Sequence, residues 1–296
     1  ISWVPEGAAP AAVLQIVHGV AEHIDRYDGF ARFLNGHGVI VVGHDHLGHG
    51  RSLTEGGTPV YFGRGNTWNT PVDDIYVLHT RIREQYPDLP LLLMGHSMGG
   101  KIAMKMLDMY PNEYEKCIII DILPKDYPEL TRKGGIADII LKTPLSQFEY
   151  RKDLADHLQK SVSDKGWLTL LLQNVETKSI TTDTNRAEIK GRKDFTKGRF
   201  AETKRRFNFL QWRSNAIMLA ENMPTIAGNV DLQPITTPTL LIRGSKSEFT
   251  KTEDLYSFSN VFGNSRILTM EDCSHWLFVD KPALFLKEVC TYLDGI

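Results

Sequence analysis

The sequence predicts an α/β fold in which a mostly parallel, doubly wound sheet is interrupted by an inserted α-helical segment. Short apolar runs alternate with helical patterns up to about residue 122, and the same alternation returns after residue 234. The interval between these parts has helical stretches and no convincing strand pattern. Near-continuous apolar strands that alternate with helices are typical of a parallel sheet covered on both faces.

Each apolar run of the two core parts is paired with a helical pattern. The predicted strands are 12–17, 39–45, 90–95, 116–121, 237–244 and 265–270. The predicted helices are 26–38, 71–86, 102–111 and 282–293. Glycines end the first of these helices, and Pro71 and Pro111 mark boundaries of the next two. The chain is therefore expected to consist of core residues 1–123, a helical insertion at 124–234, and core residues 235–296.

The composition argues against a nucleic-acid partner. Hydrophobic residues make up 42% of the chain and charged residues 24%, which is ordinary for a globular protein with a sizeable core. The formal net charge of -2 gives no electrostatic reason to bind a polyanion. A basic cluster at 190–207 is interrupted by Asp194 and Glu202, which indicates a solvated helical face or loop.

Cysteine usage and hydropathy predict a cytoplasmic location. Cys117, Cys273 and Cys290 are too few and too scattered for a disulfide framework, which suits a reducing compartment. No apolar stretch approaches the about 20 residues of a bilayer span. The first residues lack the basic and apolar regions of a signal peptide. We therefore expect no stable membrane insertion.

A serine at a strand-to-helix corner is the candidate nucleophile. Residues 95–99 read Gly-His-Ser-Met-Gly and match G-x-S-x-G in the context that this motif requires. The flanking glycines permit a sharp turn, and the helix that follows Ser97 directs backbone N–H groups at any oxyanion formed there. We therefore interpret Ser97 as a nucleophile rather than a turn residue.

A serine nucleophile needs a base and a group that orients the base. His275 lies between the last predicted strand and the last helix, where such a base belongs in the chain order serine, acid, histidine. Two acids are possible. Asp121 directly follows three isoleucines at the end of a strand, whereas Glu248 comes one residue after Ser247, where an aspartate would be usual. We favour Asp121 and keep Glu248 as the alternative.

The loop after the first long strand is expected to complete an oxyanion hole. One N–H group would come from Met98 and the other from Val20, which follows the pair His18-Gly19. These two residues are therefore the predicted oxyanion donors.

A histidine-rich segment offers a competing metal site. His44, His46 and His49 are spaced as in H-x-H-x-D-H metallo-hydrolases. Gly48 occupies the slot of the metal-binding aspartate, and no downstream cluster supplies further ligands. The prediction is therefore that the chain uses neither a metal nor another cofactor.

These motifs resemble the α/β-hydrolase superfamily over nearly the whole chain. The first part resembles the monoacylglycerol lipase and lysophospholipase group, through HGVAEHIDRY at 18–27, GHDHLGHGRS at 43–52 and GHSMGG at 95–100. The second part is similar to small bacterial acyl esterases and their mitochondrial relatives, through IDILPKDYPEL at 120–130, WRSNAIML at 212–219, LLIRGSKSEF at 240–249 and SHWLFVDKP at 274–282. In this second group the acid follows the strand after the nucleophile and a serine occupies the late position. That pattern falls on Asp121 and Ser247.

The resemblance implies an α/β-hydrolase fold with a helical cap, and cleavage of carboxylic esters through an acyl-enzyme without a metal. Small acyl esters are the expected substrates. The alternatives are a monoacylglycerol or lysophospholipid lipase, an acyl thioesterase, and a catalytically weak or non-catalytic hydrolase-fold binding protein. Because the resemblance changes near 100–117, a recombined or engineered chain is a further hypothesis.

Overall fold

A computed structural model of the chain describes residues 1–7, 9–20, 22–52, 68–163, 165–183, 204–212 and 214–294. The chain divides into two units. One unit consists of residues 1–141 and 214–296, and the other consists of residues 142–213. The candidate site residues all lie in the first unit.

Strands and α-helices alternate along most of the described chain. The strands are β1 (Ser2–Trp3), β2 (Ala12–Val17), β3 (Val39–Gly43), β4 (Leu91–His96), β5 (Lys116–Ile120), β6 (Val175–Asp183), β7 (Lys204–Trp212), β8 (Thr239–Gly244) and β9 (Ser265–Met270). The helices are α1 (Asp28–Asn35), α2 (Asn69–Gln85), α3 (Met98–Met109), α4 (Pro128–Thr131), α5 (Ile136–Lys142), α6 (Arg151–Leu158), α7 (Lys165–Gln173), α8 (Ser214–Ala227), α9 (Leu255–Ser259), α10 (Leu277–Asp280) and α11 (Pro282–Leu293).

One seven-stranded sheet forms the centre of the first unit, in the order β1-β3-β2-β4-β5-β8-β9. Its strands are parallel except for β1, which pairs with β3 in the antiparallel direction. The carboxyl ends of the parallel strands therefore share one edge. In the register of β4 with β5, His96 is opposite Ile120. The residues that directly follow these two strands, Ser97 and Asp121, are consequently neighbours at that edge.

The central strands are buried on both faces, and the one amide among them has its hydrogen bonds satisfied. Every residue of β2 and β4 is buried. Gln15 in β2 donates from Nε2 to the carbonyl of Ile75 at 2.8 Å and accepts from the Tyr114 hydroxyl at 2.7 Å. A buried polar group with such partners is tolerated in an apolar core, so the amide fixes β2 against α2.

The sequence predicted the elements of the core closely. The predicted strands at 12–17 and 265–270 and the helix at 282–293 have the observed bounds. The helix that follows Ser97 begins at Met98, four residues earlier than expected, because Gly99 and Gly100 are part of it. The edge strand β1 was not predicted, since two residues carry no periodic signal.

The prediction of an insertion without strands is wrong. Residues 142–213 contain an antiparallel hairpin in which Val175 pairs with Trp212 and Asp183 with Lys204. Valine, threonine and isoleucine recur in β6, and these β-branched residues favour extended backbone. The strand β7 continues to Trp212, and helix begins only at Ser214.

The basic cluster at 190–207 is only partly within the described chain. Residues 204–207 lie in β7, so they are neither helix nor loop, and residues 190–203 lie outside the described residues.

In the same unit, Arg151 donates to the carbonyls of Leu172, at 3.0 Å, and Val175. These bonds connect α6 to the end of α7 and the start of the hairpin. A cap role for 124–234 stays a prediction.

In the described part of the chain, no helix is long and apolar enough to cross a membrane. All three cysteines are free thiols, and Cys117 and Cys273 are buried.

A buried lysine fixes the helix that follows Ser97. Lys101 of α3 is 1% exposed. Its ammonium group donates to the carbonyls of Gly228 at 2.5 Å, Lys125 at 2.9 Å and Ile226 at 3.3 Å, and lies 4.7 Å from the centre of the Tyr127 ring. Burial lowers the pKa of this group to about 7. The carbonyls that it satisfies belong to the loop after β5 and to the end of α8.

We expect Lys101→Met to destabilise the protein by about 1–3 kcal/mol, because the apolar side chain leaves those buried carbonyls without a donor. Urea denaturation measures the change. Lys105→Met is the matched control on the same helix, since Lys105 forms a partly exposed ion pair with Asp108 and should cost at most about 1 kcal/mol. Equal stability of the two variants would contradict a structural role of the Lys101 ammonium.

Candidate active site

Ser97 occupies a strained turn between β4 and α3. Its backbone angles are φ 54° and ψ −125°, a region that residues with a side chain rarely adopt. Its N–H donates to the carbonyl of Ile120 at 3.1 Å, and its own carbonyl accepts from Gly100 at 2.8 Å. The serine side chain is half-buried at the carboxyl edge of the sheet. This geometry is that of a nucleophile elbow.

The motif glycines are required by close backbone approach. A β-carbon at Gly95 would overlap the carbonyl oxygen of Gly99. A β-carbon at Gly99 would overlap the carbonyl oxygens of Val17 and His18. The start of α3 therefore lies directly against the end of β2, which brings the Val20 loop beside the elbow.

Asp121 presents a fully buried carboxylate one strand away from Ser97. It also has a positive φ, 51°. Oδ1 accepts from the Gly244 N–H at 3.0 Å and the Thr250 hydroxyl at 2.6 Å, and Oδ2 accepts from the Ser247 hydroxyl and from His275. Burial alone would raise the pKa of Asp121, but the bond to His275 and the two hydroxyl bonds hold that pKa below its usual value.

His275 is oriented by that carboxylate. Its Nδ1 lies 2.7 Å from Asp121 Oδ2. Because an ionised carboxylate only accepts, the proton lies on Nδ1 and Nε2 keeps a lone pair. Burial lowers the pKa of His275, and the bond to Asp121 opposes part of this effect. The resting side chain is thus a neutral imidazole. Phe249, whose ring centre is 4.2 Å away, covers one face of it.

The two candidate acids, Asp121 and Glu248, have different surroundings in the structure. Glu248 forms an ion pair with Lys251 at 2.8 Å, and its side chain is 79% exposed. Ser247 is buried, donates to Asp121 and accepts from the Phe249 N–H at 3.1 Å. His275 therefore contacts Asp121, with Ser247 in support, whereas the Glu248 carboxylate pairs with a neighbouring lysine.

The two expected oxyanion donors lie on the elbow and on the adjacent loop. Met98 is the first residue of α3, and the first N–H groups of a helix have no acceptor within it. Val20 is buried in the turn that follows β2. The roles of both N–H groups stay predictions.

The histidine-rich segment packs as an aromatic cluster. The ring of His46 lies 4.2 Å from that of His18 and 6.0 Å from that of His49, centre to centre. Burial lowers the pKa of His46 and of His49, so neutral rings pack against one another here at tilted and edge-to-face angles. Among the residues that the structure describes, no group of three or more His, Cys, Asp or Glu side chains is arranged to hold a metal ion.

Three polar residues of this region were missed by sequence reasoning. Thr250 completes the bonds to Asp121 from a position six residues after the end of β8, where nothing in the sequence distinguishes it from a turn residue. Glu22 and His96 form a buried pair at 3.2 Å. Both lie inside the motifs that were recognised, but they are 74 positions apart, and no spacing rule connects them.

Known proteins match this chain over its first part and over its whole length. The family model described as serine aminopeptidase, S33, matches residues 8–121. Monoglyceride lipase of Mus musculus is 36% identical over 43% of this chain and 40% of its own length. The sn-1-specific diacylglycerol lipase ABHD11 of Danio rerio is 24% identical over 98% of this chain and 80% of that protein. The structure of a marine microorganism esterase superposes with a TM-score of 0.69, at 22% identity and 98% coverage of both chains.

The chain is similar to proteins of the α/β-hydrolase superfamily, over residues 8–121 in the family model and over nearly its whole length in the Danio rerio lipase and the marine esterase. Its central sheet has the fold of these hydrolases, as the sequence predicted. The match to the mouse lipase spans less than half of either protein. The hypothesis of a recombined chain gains no support, because a single relative aligns across both parts.

The rate at which a fluorophosphonate labels Ser97 tests which of the two acids supports His275, because this reagent labels activated serines. We expect Asp121→Asn to slow labelling by about 10³-fold or more, because an amide no longer stabilises the imidazolium of His275. Glu248→Gln should label at the wild-type rate, and Ser97→Ala should not label. Mass spectrometry of the labelled protein measures each rate, with thermal denaturation as the check on folding. Slow labelling of Glu248→Gln, with Asp121→Asn unaffected, would reverse the assignment.

Proposed function

We propose that this α/β hydrolase is a serine carboxylic ester hydrolase that works through an acyl-enzyme intermediate. The observation that carries the proposal is the bond between Asp121 and His275, at the same sheet edge as the strained elbow of Ser97. A serine, a neutral imidazole and a buried carboxylate are the groups that nucleophilic acyl transfer requires.

The reaction begins when Ser97 Oγ attacks the carbonyl carbon of the ester. His275 Nε2 takes the hydroxyl proton as the carbon–oxygen bond forms, and Asp121 stabilises the resulting imidazolium. The carbonyl oxygen becomes an oxyanion, which the N–H groups of Met98 and Val20 hold. When the tetrahedral intermediate collapses, His275 returns the proton to the departing alcohol, and the acyl group remains on Ser97.

Water completes the cycle by the same steps. His275 Nε2 removes a proton from a water molecule as its oxygen attacks the acyl-enzyme. The second tetrahedral intermediate expels Ser97, which regains a proton from His275, and the carboxylic acid leaves. No metal or cofactor enters this scheme.

Small acyl esters are the substrates that we propose. Support comes from the second part of the chain, where four segments, including IDILPKDYPEL and LLIRGSKSEF, resemble small bacterial acyl esterases. The monoglyceride lipase match, by contrast, covers only 43% of the chain. We also propose a cytoplasmic location, since the three thiols are free.

Glycerolipid hydrolysis is the second candidate. It is favoured by two matched relatives, which are named as a monoglyceride lipase and an sn-1-specific diacylglycerol lipase. The two candidates differ in the acyl chain and in the alcohol that they accept, so a substrate series separates them.

A chain-length series of p-nitrophenyl esters tests the proposal. We expect acetate and butyrate to be hydrolysed with higher kcat/KM than decanoate and palmitate, and Ser97→Ala to lose about 10³-fold or more of the activity. A preference for palmitate, with release of fatty acid from monoacylglycerol, would establish the second candidate instead.

Equal rates for the wild type and Ser97→Ala would contradict catalysis at the elbow. A binding role for the hydrolase fold would then be the better account.

A further inference from the structure

A second carboxylate is buried behind the candidate active site. Glu22 lies in the loop after β2 and is almost fully buried. Its Oε2 accepts from the Gly19 N–H at 2.7 Å and from the Tyr27 hydroxyl at 3.2 Å, and it lies 3.2 Å from His96 Nδ1. Arg26 is within 3.7 Å of the other oxygen. Burial alone would raise the pKa of Glu22, but the adjacent His96 lowers that pKa to about 2, so the side chain is a carboxylate.

His96 contacts an acceptor with each of its ring nitrogens. Nδ1 faces the Glu22 carboxylate, and Nε2 lies 3.3 Å from the backbone carbonyl of His275. Neither oxygen can donate, whereas a neutral imidazole has only one N–H. Both contacts are hydrogen bonds only when the ring carries two protons and a positive charge.

We propose that Glu22 and His96 form a carboxylate–imidazolium pair whose two residues are positioning residues for the adjacent site. The pair connects the Gly19 N–H, in the loop that carries Val20, to the backbone of His275. This inference rests on the proposed function only for what the positioning achieves, since the charge state of the pair is a property of the resting protein.

The positive charge of His96 also affects the pKa of His275. The ring centres of His96 and His275 are 4.7 Å apart. A positive ring at this distance disfavours a second positive ring, so His96 lowers the pKa of His275, while Asp121 and Glu22 raise it. The pair thereby helps to keep His275 neutral and ready to accept the proton of Ser97.

The other charged or titratable groups that face the pair have assigned roles. Arg26 pairs with Glu22 and lies over the ring of Trp276 at 5.5 Å. Tyr27 donates to Glu22, and burial raises the pKa of its hydroxyl. The charge of Glu22 raises the pKa of His49, but burial lowers that pKa by more, so the His49 ring is neutral. The candidate for a proton shared with Glu22 is therefore His96.

Nuclear magnetic resonance of ¹⁵N-histidine-labelled protein tests the charge state without substrate. We expect His96 at pH 7 to show two protonated ring nitrogens and His275 only one, at Nδ1. The variant His96→Asn removes the His96 signals and so assigns them among the ten histidines of the chain. Glu22→Gln should convert His96 into a ring with a single N–H. One N–H on His96 in the wild type overturns the proposal.

The pH dependence of ester hydrolysis tests the coupling to His275. In His96→Asn the amide can still donate to Glu22, and in His96→Gln it can still donate to the His275 carbonyl, but neither carries a charge. Loss of the charge should raise the pKa of His275, so the acid limb of kcat/KM should move to higher pH by about one pH unit in both variants. A purely structural role predicts lower kcat with no movement of that limb.

His37→Asn is the matched control, because His37 is exposed, follows the end of α1, and has its Nδ1 3.0 Å from the carbonyl of Phe33. Its pH profile should equal that of the wild type. An unmoved acid limb in both folded His96 variants overturns the coupling. If the wild type hydrolyses no ester, only the proposed function is contradicted. The coupling between His96 and His275 can still be tested, because nuclear magnetic resonance follows the titration of His275 in the same variants without substrate.

Discussion

A carboxylate in an apolar sheet is tolerated only where donors replace the water that it has lost. Asp121 meets this requirement with four donors: the Gly244 N–H, the hydroxyls of Ser247 and Thr250, and His275. The donors come from the end of β8, from the loop after it and from the loop after β9. The fold of the carboxyl edge is consequently organised around one negative charge, and the imidazole that completes its shell is held in a single tautomer.

The same edge carries a second, similar arrangement. Glu22 gathers an N–H from the loop after β2, a tyrosine hydroxyl and the ring of His96. His96 precedes the elbow serine in the chain, and its ring faces that of His275. Two buried acid–histidine pairs are therefore adjacent. The histidine of the Asp121 pair, His275, is neutral, and the histidine of the Glu22 pair, His96, is positively charged. Their difference in charge follows from the acceptors around each ring rather than from the amino-acid types.

Local sequence predicted the parts of this site that depend on local chemistry. The buried strands, the glycine-flanked elbow and the order of serine, acid and histidine are all visible as short patterns, and the fold class follows from them. The bonds that complete each carboxylate are not visible in this way, because Thr250 and Asp121, or Glu22 and His96, are brought together only by the strand order. The hairpin β6–β7 was missed for a different reason. Charged residues interrupt the β-branched residues of these two strands, so no apolar run marks them in the sequence.

The proposed mechanism depends on a covalent bond to Ser97. Mass spectrometry of rapidly quenched mixtures with p-nitrophenyl butyrate is the most direct test, since the good leaving group makes acylation the faster step. The acyl-enzyme mechanism predicts a mass increase of one butyryl group on the peptide that contains Ser97, formed in a burst that matches p-nitrophenol release. Hydrolysis without any adduct on that peptide, or with the adduct on another residue, would contradict it.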